Sequence, residues 1–276
     1  MELRGSVEIA AAVTADLPWH SATCPDNEAH YGRMNAGPNT RVDEIAPDIF
    51  RMSTWVPDIT ENGFTFNQFL LTGDEPMLFH CGHRQLFPAV SEAINQVVPL
   101  EKLRWISFGH LEADECGAMN LMLAAAPNAE VIHGALACMV SLTDLCDRPP
   151  VVATEEGVHD IGGHRLRFIP TPHVPHNWEA ALWFDETTST LLAGDLFTHT
   201  GQCPSLTESD CVAPALDAEN LFHATGLTTN LGPTLEQLAE LHPATLAIMH
   251  GSSYTGDGAA QLRGLAEGYA AMAGAG

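Results

Sequence analysis

Short apolar segments that resemble buried strands recur along this chain in two groups, with helical segments between and after them. The first group is DIFRMSTWVP, FTFNQFLLT, PMLFHCG and Leu103 to Phe108. The second comprises two predicted hairpins, VVATEEGVHDIGGHRLRFIPTP and EAALWFDETTSTLLAGDLF, and the strand ATLAIMH. Apolar spacing predicts helices over 84–99, 118–126, 134–143 and from about residue 258 to 272. This order predicts an α/β (α+β) fold, an αββα sandwich of two mixed sheets flanked by helices.

The composition is that of a folded chain with one large domain. Of the 276 residues, 45% are hydrophobic and 17% are charged, so the chain can bury a substantial core. Residues 1–44 are rich in Gly, Pro and Asn and show little periodicity, and we expect an N-terminal extension that packs on a domain formed by 45–276. No repeat or low-complexity linker is visible.

The charge balance and the targeting signals limit the partners. With 11 basic and 35 acidic residues the formal net charge is −24, so binding to nucleic acid or to an anionic membrane is not expected. No segment has the roughly 20 apolar residues that span a bilayer, and the first residues lack a signal-peptide pattern, so we expect a cytoplasmic protein. The 7 cysteines show no CxxC spacing, which argues against a disulfide scaffold or a zinc knuckle.

The loop that follows the apolar strand WISF contains three potential metal ligands. His110, Glu112 and Asp114 stand at positions i, i+2 and i+4. A straight strand would spread them over about 13 Å, whereas a loop that curls around an ion brings all three together. One imidazole and two carboxylates suit a harder divalent ion than thiolates would. The alternative is that the acidic residues cap the helix that follows.

Three further candidate ligands lie at the ends of predicted strands. His176 precedes the strand AALWF, Asp195 follows LLAG, and His250 ends ATLAIMH. His173 is an alternative to His176. Ligands gathered from several strand ends are typical of the sites that α/β folds build.

The ordered pattern HxExD, His, Asp, His resembles that of the metallo-β-lactamase superfamily. It is most similar to the diiron core of flavodiiron proteins and of stand-alone oxygen-binding diiron proteins, which carry Glu at the second ligand position, as Glu112 does here. The resemblance extends over roughly residues 45–265. It implies two metal ions, one held by His110, Glu112 and His176 and the other by Asp114 and His250, with Asp195 bridging them.

Three positions near this pattern either differ from the family or stand next to a ligand. Where the family often has His after the Asp of the first motif, this chain has Glu115, which either binds the second metal or points away and caps the helix. His80 stands where the superfamily usually has Asp, and we expect it beside the ligands. Cys116 is either a small buried residue or a thiol adjacent to the metals. Tyr254 and Trp178 are expected to line the pocket.

The resemblance implies a non-haem diiron protein that binds or reduces dioxygen or nitric oxide. Two ferrous ions supply only two of the four electrons that reduce dioxygen to water, so a separate electron donor is needed unless gas is bound reversibly. We see no flavodoxin domain and no flavin phosphate loop after the core, and therefore expect no flavin site in this chain. The family's head-to-tail dimers make a homodimer plausible.

Hydrolysis is the alternative function. Two zinc ions, or manganese, on the same fold would activate a water molecule against an ester, lactone, amide or phosphodiester. Glu112 argues against this because a carboxylate ligand reduces the Lewis acidity of the metal. A third possibility is a binding or regulatory protein with neither activity.

Overall fold

Two mixed sheets of seven strands each form the centre of the molecule, as described for residues 40–274 by a computed structural model. The first sheet has the order β1-β2-β3-β4-β5-β6-β7, and the second has the order β12-β14-β13-β11-β10-β9-β8. The strands are β1 (Thr40–Ala46), β2 (Ile49–Val56), β3 (Phe64–Leu71), β4 (Met77–Phe79), β5 (Trp105–Ser107), β6 (Glu130–His133), β7 (Val151–Val152), β8 (His159–Asp160), β9 (Arg165–Pro170), β10 (Ala181–Asp185), β11 (Thr190–Gly194), β12 (Leu206–Thr207), β13 (Thr245–Ile248) and β14 (Ser253–Thr255).

The helices lie on the outer faces of the sheets and in the connections. They are α1 (Phe87–Asn95), α2 (Ala113–Cys116), α3 (Met119–Ala125), α4 (Ala135–Ala137), α5 (Thr143–Leu145), α6 (Val212–Phe222), α7 (Leu231–Ala239) and α8 (Gly258–Gly274). A 3-10 helix spans Leu100–Lys102 and a π-helical segment spans Cys138–Leu142. Pro88 stands in the first turn of α1, where the missing N–H costs no helical hydrogen bond.

Strand direction changes within each sheet. Strands β1 to β4 pair antiparallel, and β4 to β7 pair parallel. In the second sheet the pairs β11–β13 and β12–β14 are parallel and the others are antiparallel. The loops that follow β5, β11 and β13 carry most of the candidate ligands.

Three apolar layers hold the sandwich together. One layer joins the first sheet to α1 and α3, with Leu78, Val90 and Met122 among its members. A second joins the other sheet to α6, α7 and α8. The third lies between the sheets, where Phe69 packs in the same cluster as Trp183. Burial of these side chains is the main favourable contribution to folding, at about 25 cal/mol per Å² of apolar surface.

The predicted αββα sandwich of two mixed sheets is confirmed. Strand β1 begins at Thr40, inside the segment assigned to an extension, so residues 40–44 belong to the first sheet. The rest of that extension lies outside the described residues. The helix predicted over 134–143 is broken into α4, the π-helical segment and α5. Among the described helices, none is long and apolar enough to cross a membrane.

Candidate metal centre

The six predicted ligands lie in the connections that follow or precede strands, five of them in loops and one in a short helix. His110 and Glu112 follow β5, and Asp114 stands in the single turn of α2. His176 lies in the connection from β9 to β10, Asp195 directly follows β11, and His250 follows β13. The ligands differ in burial. Two are buried, His110 and His250, and three are partly buried, Asp195, Asp114 and His176. Glu112 is half-exposed.

The first group of ligand atoms is compact. One potential ligand atom from each of His110, Glu112, His176 and Asp195 lies within 4.8 Å of the other three. Glu112 Oε2 is 2.9 Å from His110 Nε2 and 3.1 Å from His176 Nε2. Asp195 Oδ2 is 3.8 Å from each of these two nitrogens. His173, the alternative to His176, is exposed and outside this group.

The second group shares Asp195 with the first. His250 Nε2 is 3.3 Å from Asp114 Oδ2 and 3.2 Å from Asp195 Oδ1. Asp195 therefore turns one carboxylate oxygen towards each group. A carboxylate in this position has the geometry to bridge two cations.

A hydrogen bond on the far nitrogen of His250 and an ion pair on that of His110 orient these two imidazoles. His250 Nδ1 donates to the carbonyl oxygen of Thr65 at 2.7 Å, which leaves Nε2 facing Asp114 and Asp195. His110 Nδ1 is 3.3 Å from Glu115 Oε1, and Nε2 faces Glu112. Such partners fix the ring orientation and raise the basicity of a metal-binding imidazole.

Glu115 lies behind His110 and is fully buried. Its Oε2 accepts the backbone N–H of His110 at 2.6 Å, and its Oε1 is 3.4 Å from His80 Nε2. A Cβ on Gly109 would lie 3.1 Å from both carboxylate oxygens, so glycine is the residue that admits Glu115. The expectation that Glu115 caps the helix is wrong, because its carboxylate is engaged by His110.

The acidic residues of the first motif do not cap α2 either. Glu112 stands at the N-cap position but makes no capping hydrogen bond, since its carboxylate faces the two imidazoles. Cys116 packs against the first apolar layer, and burial raises the pKa of its thiol to about 12. This favours the small buried residue over a reactive thiol.

Neighbouring carboxylates favour protonation of two histidines, His110 and His250, in the metal-free centre. Burial opposes protonation of His110, but Glu115, Glu112 and Asp195 offset it and raise its pKa to about 10. His250 behaves in the same way: burial lowers its pKa, whereas Asp114 and Asp195 raise it to about 10.

The pKa values of the carboxyl groups shift in two directions. Hydrogen bonds with His110 and His176 lower the pKa of Glu112 to about 2. Burial opposes ionisation of Asp195, but His250, His110 and His176 hold its pKa well below the ordinary value. Burial raises the pKa of Glu115 to about 8 and lowers that of His80 to about 3.

The residues present fit two cations. Within residues 40–274, Asp114 Oδ1 is a buried oxygen without a hydrogen-bond partner, and a buried acceptor of this kind is costly unless it is paired. Cations at the two groups would replace the protons on His110 and His250 and give Asp114 Oδ1 a partner. Imidazole and carboxylate ligands suit iron, manganese or zinc.

A cavity of about 300 Å³ adjoins the ligands. Its walls are largely apolar, and its polar members beyond the ligands come mostly from α6, α8 and the segment after α6. The lining includes Phe64, Pro175, Ala215, Ala218, Phe222, Thr198, Glu219, Thr225 and Tyr269.

Sequence reasoning missed one polar group in the lining of this cavity, formed by Glu219, Thr225 and Tyr269. Thr225 Oγ1 is 2.7 Å from Glu219 Oε2 and 3.2 Å from Tyr269 Oη. These residues carry no motif and lie on separate elements, so only the folded chain brings them together.

The expectation that Tyr254 and Trp178 line the pocket is wrong. Tyr254 is buried in the second apolar layer, and Trp178 is exposed beside a different depression.

His83 was also missed. It is half-buried, its ring packs edge-on against Phe66, and Phe66 contacts His250 in the same manner. Burial lowers the pKa of His83, and the charge of Asp114 opposes that effect. His83 therefore lies on the side of the second ligand group.

An αββα sandwich with these histidines and carboxylates at its strand ends defines a metallo-β-lactamase fold of the flavodiiron-core type. A sequence profile of the family described as ODP family beta lactamase matches residues 64–251, which include all six candidate ligands. The chain belongs to this family.

Similar proteins agree with this assignment. The chain is 30% identical over 139 residues to a protein described as diflavin flavoprotein A 2 of Synechocystis, and 32% identical over 143 residues to diflavin flavoprotein A 1 of Thermosynechococcus vestitus. These matches cover 49% and 50% of this chain but only 24% of each relative. The chain thus matches about a quarter of the length of these relatives.

Solved structures share the fold. A fragment of diflavin flavoprotein A 5 from Nostoc superposes with a TM-score of 0.74 at 19% identity, covering 85% of this chain and 96% of the fragment. Rubredoxin oxygen:oxidoreductase from Desulfovibrio gigas gives a TM-score of 0.70 at 15% identity, covering 85% of this chain and 62% of that one. The expected relationship to flavodiiron cores is confirmed.

Proposed function

We propose that this protein holds two iron ions and binds or reduces dioxygen or nitric oxide, with electrons from a separate partner. The observation that carries the proposal is the position of Asp195, whose two carboxylate oxygens face two separate groups of ligands. The names of the similar proteins, which include diflavin flavoproteins and a rubredoxin oxygen:oxidoreductase, support this class of chemistry.

In the proposed assignment His110, Glu112 and His176 hold one ion, and Asp114 and His250 hold the other. Asp195 binds both. Three carboxylates offset three of the four positive charges of two divalent ions, which favours iron over the zinc of an all-imidazole site. The iron ions would supply electrons and open positions for a diatomic gas.

The chain's own residues would shape what reaches the ions. The apolar walls of the cavity, including Phe64 and Phe222, admit a small uncharged gas more readily than a charged substrate. Glu115 and Thr65 hold His110 and His250 in place. Burial raises the pKa of Tyr269 to about 12, so its hydroxyl stays protonated and can donate a hydrogen bond in the cavity.

The first test is metal content after expression in medium that contains both iron and zinc. We expect about two irons per chain. We further expect the ferrous form to react with nitric oxide and with dioxygen. A pair of zinc ions together with turnover of an ester or phosphodiester would contradict the proposal and support the hydrolase.

Glu112→His tests the ligand assignment. An imidazole at this position should shift the preference from iron to zinc and abolish the gas reactivity. Glu101→His makes the same exchange at an exposed position in the 3-10 helix and should leave both unchanged. Normal dioxygen consumption by Glu112→His would show that the assignment is wrong.

A further inference from the structure

A second cavity, of about 260 Å³, lies beside the outer strands of the first sheet and carries no assigned role. Its lining contains none of the six candidate metal ligands among the described residues. The lining residues are Arg41, Asp43, Arg51, Ser53, Trp55, Thr65, Gln202 and Cys203. Those from β1, β2 and β3 are at alternate positions, so they share one face of the sheet.

Two of the chain's 11 basic side chains line this cavity. Arg51 is only 2% exposed, and its Nη2 donates to the carbonyl oxygen of Gly251 at 2.9 Å. Its Nε is buried and has no hydrogen-bond partner within residues 40–274. The indole Nε1 of Trp55 is likewise buried and without a partner in that range. Two unused donors, one of them on a cation, require an acceptor.

A ligand with hydrogen-bond acceptors alone would leave one lining group unsatisfied, because an oxygen of Asp43 has no donor. Asp43 Oδ1 pairs with Arg41 Nη2 at 3.2 Å, whereas Asp43 Oδ2 is buried and unpartnered among the described residues. Arg41, Arg51 and Asp43 together carry one net positive charge. A ligand that satisfies all of these groups is an anion that also bears an O–H donor.

We propose that this cavity binds a small protonated oxyanion of the hydrogen phosphate type. Its charged oxygens accept hydrogen bonds from Arg51 Nε and Trp55 Nε1, and its P–O–H donates to Asp43 Oδ2. Burial lowers the pKa of Arg51 to about 10, which is the response of a buried guanidinium that has too few anionic partners. None of the six candidate metal ligands is among the described residues that line this cavity, and Thr65, whose carbonyl oxygen accepts from His250, lies between it and the candidate metal centre.

Calorimetric titration with inorganic phosphate at constant ionic strength tests the proposal. We expect one saturable site per chain. Trp55→Phe, which removes one proposed donor, and Arg41→Gln, which removes a positive charge from the lining, should each weaken phosphate binding, by about tenfold for Arg41→Gln. Arg165→Gln is the matched control, since Arg165 is 57% exposed against 60% for Arg41 and also has an acidic partner, Glu186. It should bind phosphate as the wild type does.

The chemistry of Asp43 gives a sharper test. Sulfate carries no proton at neutral pH and would leave Asp43 Oδ2 facing a bare anion, so phosphate should bind about tenfold or more tightly than sulfate. Asp43→Asn, which offers an amide donor, should remove this preference. Retention of the preference in Asp43→Asn would overturn the assignment of the donor.

Phosphate could also bind to metal ions at the candidate metal centre. Substitution of a candidate metal ligand distinguishes that binding from binding in this cavity. Asp114→Asn alters the proposed metal centre and leaves this cavity intact, so it should bind phosphate with unchanged affinity. Loss of phosphate binding in Asp114→Asn, equal weakening in Arg165→Gln, or no saturable binding to the wild type would each overturn the proposal.

Discussion

His110, His250 and Glu115 make the stability of the metal-free protein depend on pH. The pKa of each imidazole rises from 6.5 to about 10 on folding, so the stability it contributes is complete below 6.5 and is lost as the pH rises towards 10. The pKa of Glu115 rises from 4.5 to about 8, which has the same sign. The lowered pKa of Glu112, about 2, gives stability that is lost below about 4.5.

We therefore expect the metal-free protein to be most stable at mildly acidic pH. The urea concentration at the unfolding midpoint should decrease as the pH is raised from about 6 to about 9. The metal-loaded protein should show a flatter or opposite dependence, because metal displaces the two imidazole protons and competes with them at low pH. A midpoint that rises over this range without metal would contradict the expectation.

Tyr269 offers a test of the polar group in the lining of the cavity. Tyr269→Phe removes the hydroxyl and keeps the ring, so the fold and metal content should be unchanged. If the hydroxyl donates a hydrogen bond to the reacting gas, the rate of dioxygen reduction should fall by about tenfold or more, the usual range for a lost general acid being about 10² to 10⁴. Rapid mixing of the ferrous protein with dioxygen measures this rate. Tyr254→Phe, in the apolar layer, is the matched control.

At the residue scale, the sequence could predict positions that share a motif or a strand end. Three ligands at i, i+2 and i+4, followed by His176, Asp195 and His250, predicted a group that the fold brings together. The role of Glu115 could not be predicted, because it depends on which way a side chain leaves a single helical turn. Tyr269 and Thr225 could not either, since their proximity depends on the packing of α8.

Helix α8 covers the second sheet and carries Tyr269, so its packing links stability to the cavity. Leu262 is fully buried in the second apolar layer. Leu262→Ala should destabilise the protein by about 2–5 kcal/mol, the cost of lost burial plus the cavity left behind. Arg263→Ala, one position along on the exposed side, removes only a surface pair with Glu236 and should cost about 1 kcal/mol or less.

Urea denaturation at fixed metal content measures both changes. If Leu262→Ala and Arg263→Ala lowered the free energy of unfolding equally, the buried face of α8 would contribute little to stability. A lower free energy of unfolding in Leu262→Ala alone, accompanied by slower gas reactivity, would show that the helix also positions Tyr269 in the cavity lining.

At the element scale, periodicity and turn chemistry predicted most strands and helices. Strand β3 is buried on both faces, which explains the imperfect alternation of its aromatic residues. The segment over 134–143 differs from its prediction: Met139 is 74% exposed, and the backbone adopts a π-helical turn instead of continuing α4. Local sequence preference does not specify such a turn, because it depends on tertiary packing.

The charge of the whole molecule bears on how electrons would reach the centre. The formal net charge is −24, and Glu219, which is not a candidate metal ligand, adds a carboxylate to the lining of the cavity beside the centre. Such a field attracts cations and repels anions over distances of about one Debye length, about 10 Å at 0.1 M salt. An electron donor that approaches this face should therefore present a basic surface.

Small reductants of opposite charge provide the measurement. In stopped-flow reduction of the oxidised iron-loaded protein, a cationic one-electron reductant should react about tenfold or more faster than an anionic one of similar potential. Added salt should slow the cationic reagent and speed the anionic one, because screening weakens both the attraction and the repulsion. A neutral reductant, which should show little dependence on salt, is the control. If all three reagents showed the same salt dependence, steering by this acidic surface would be excluded, and recognition of the donor would have to depend on short-range contacts.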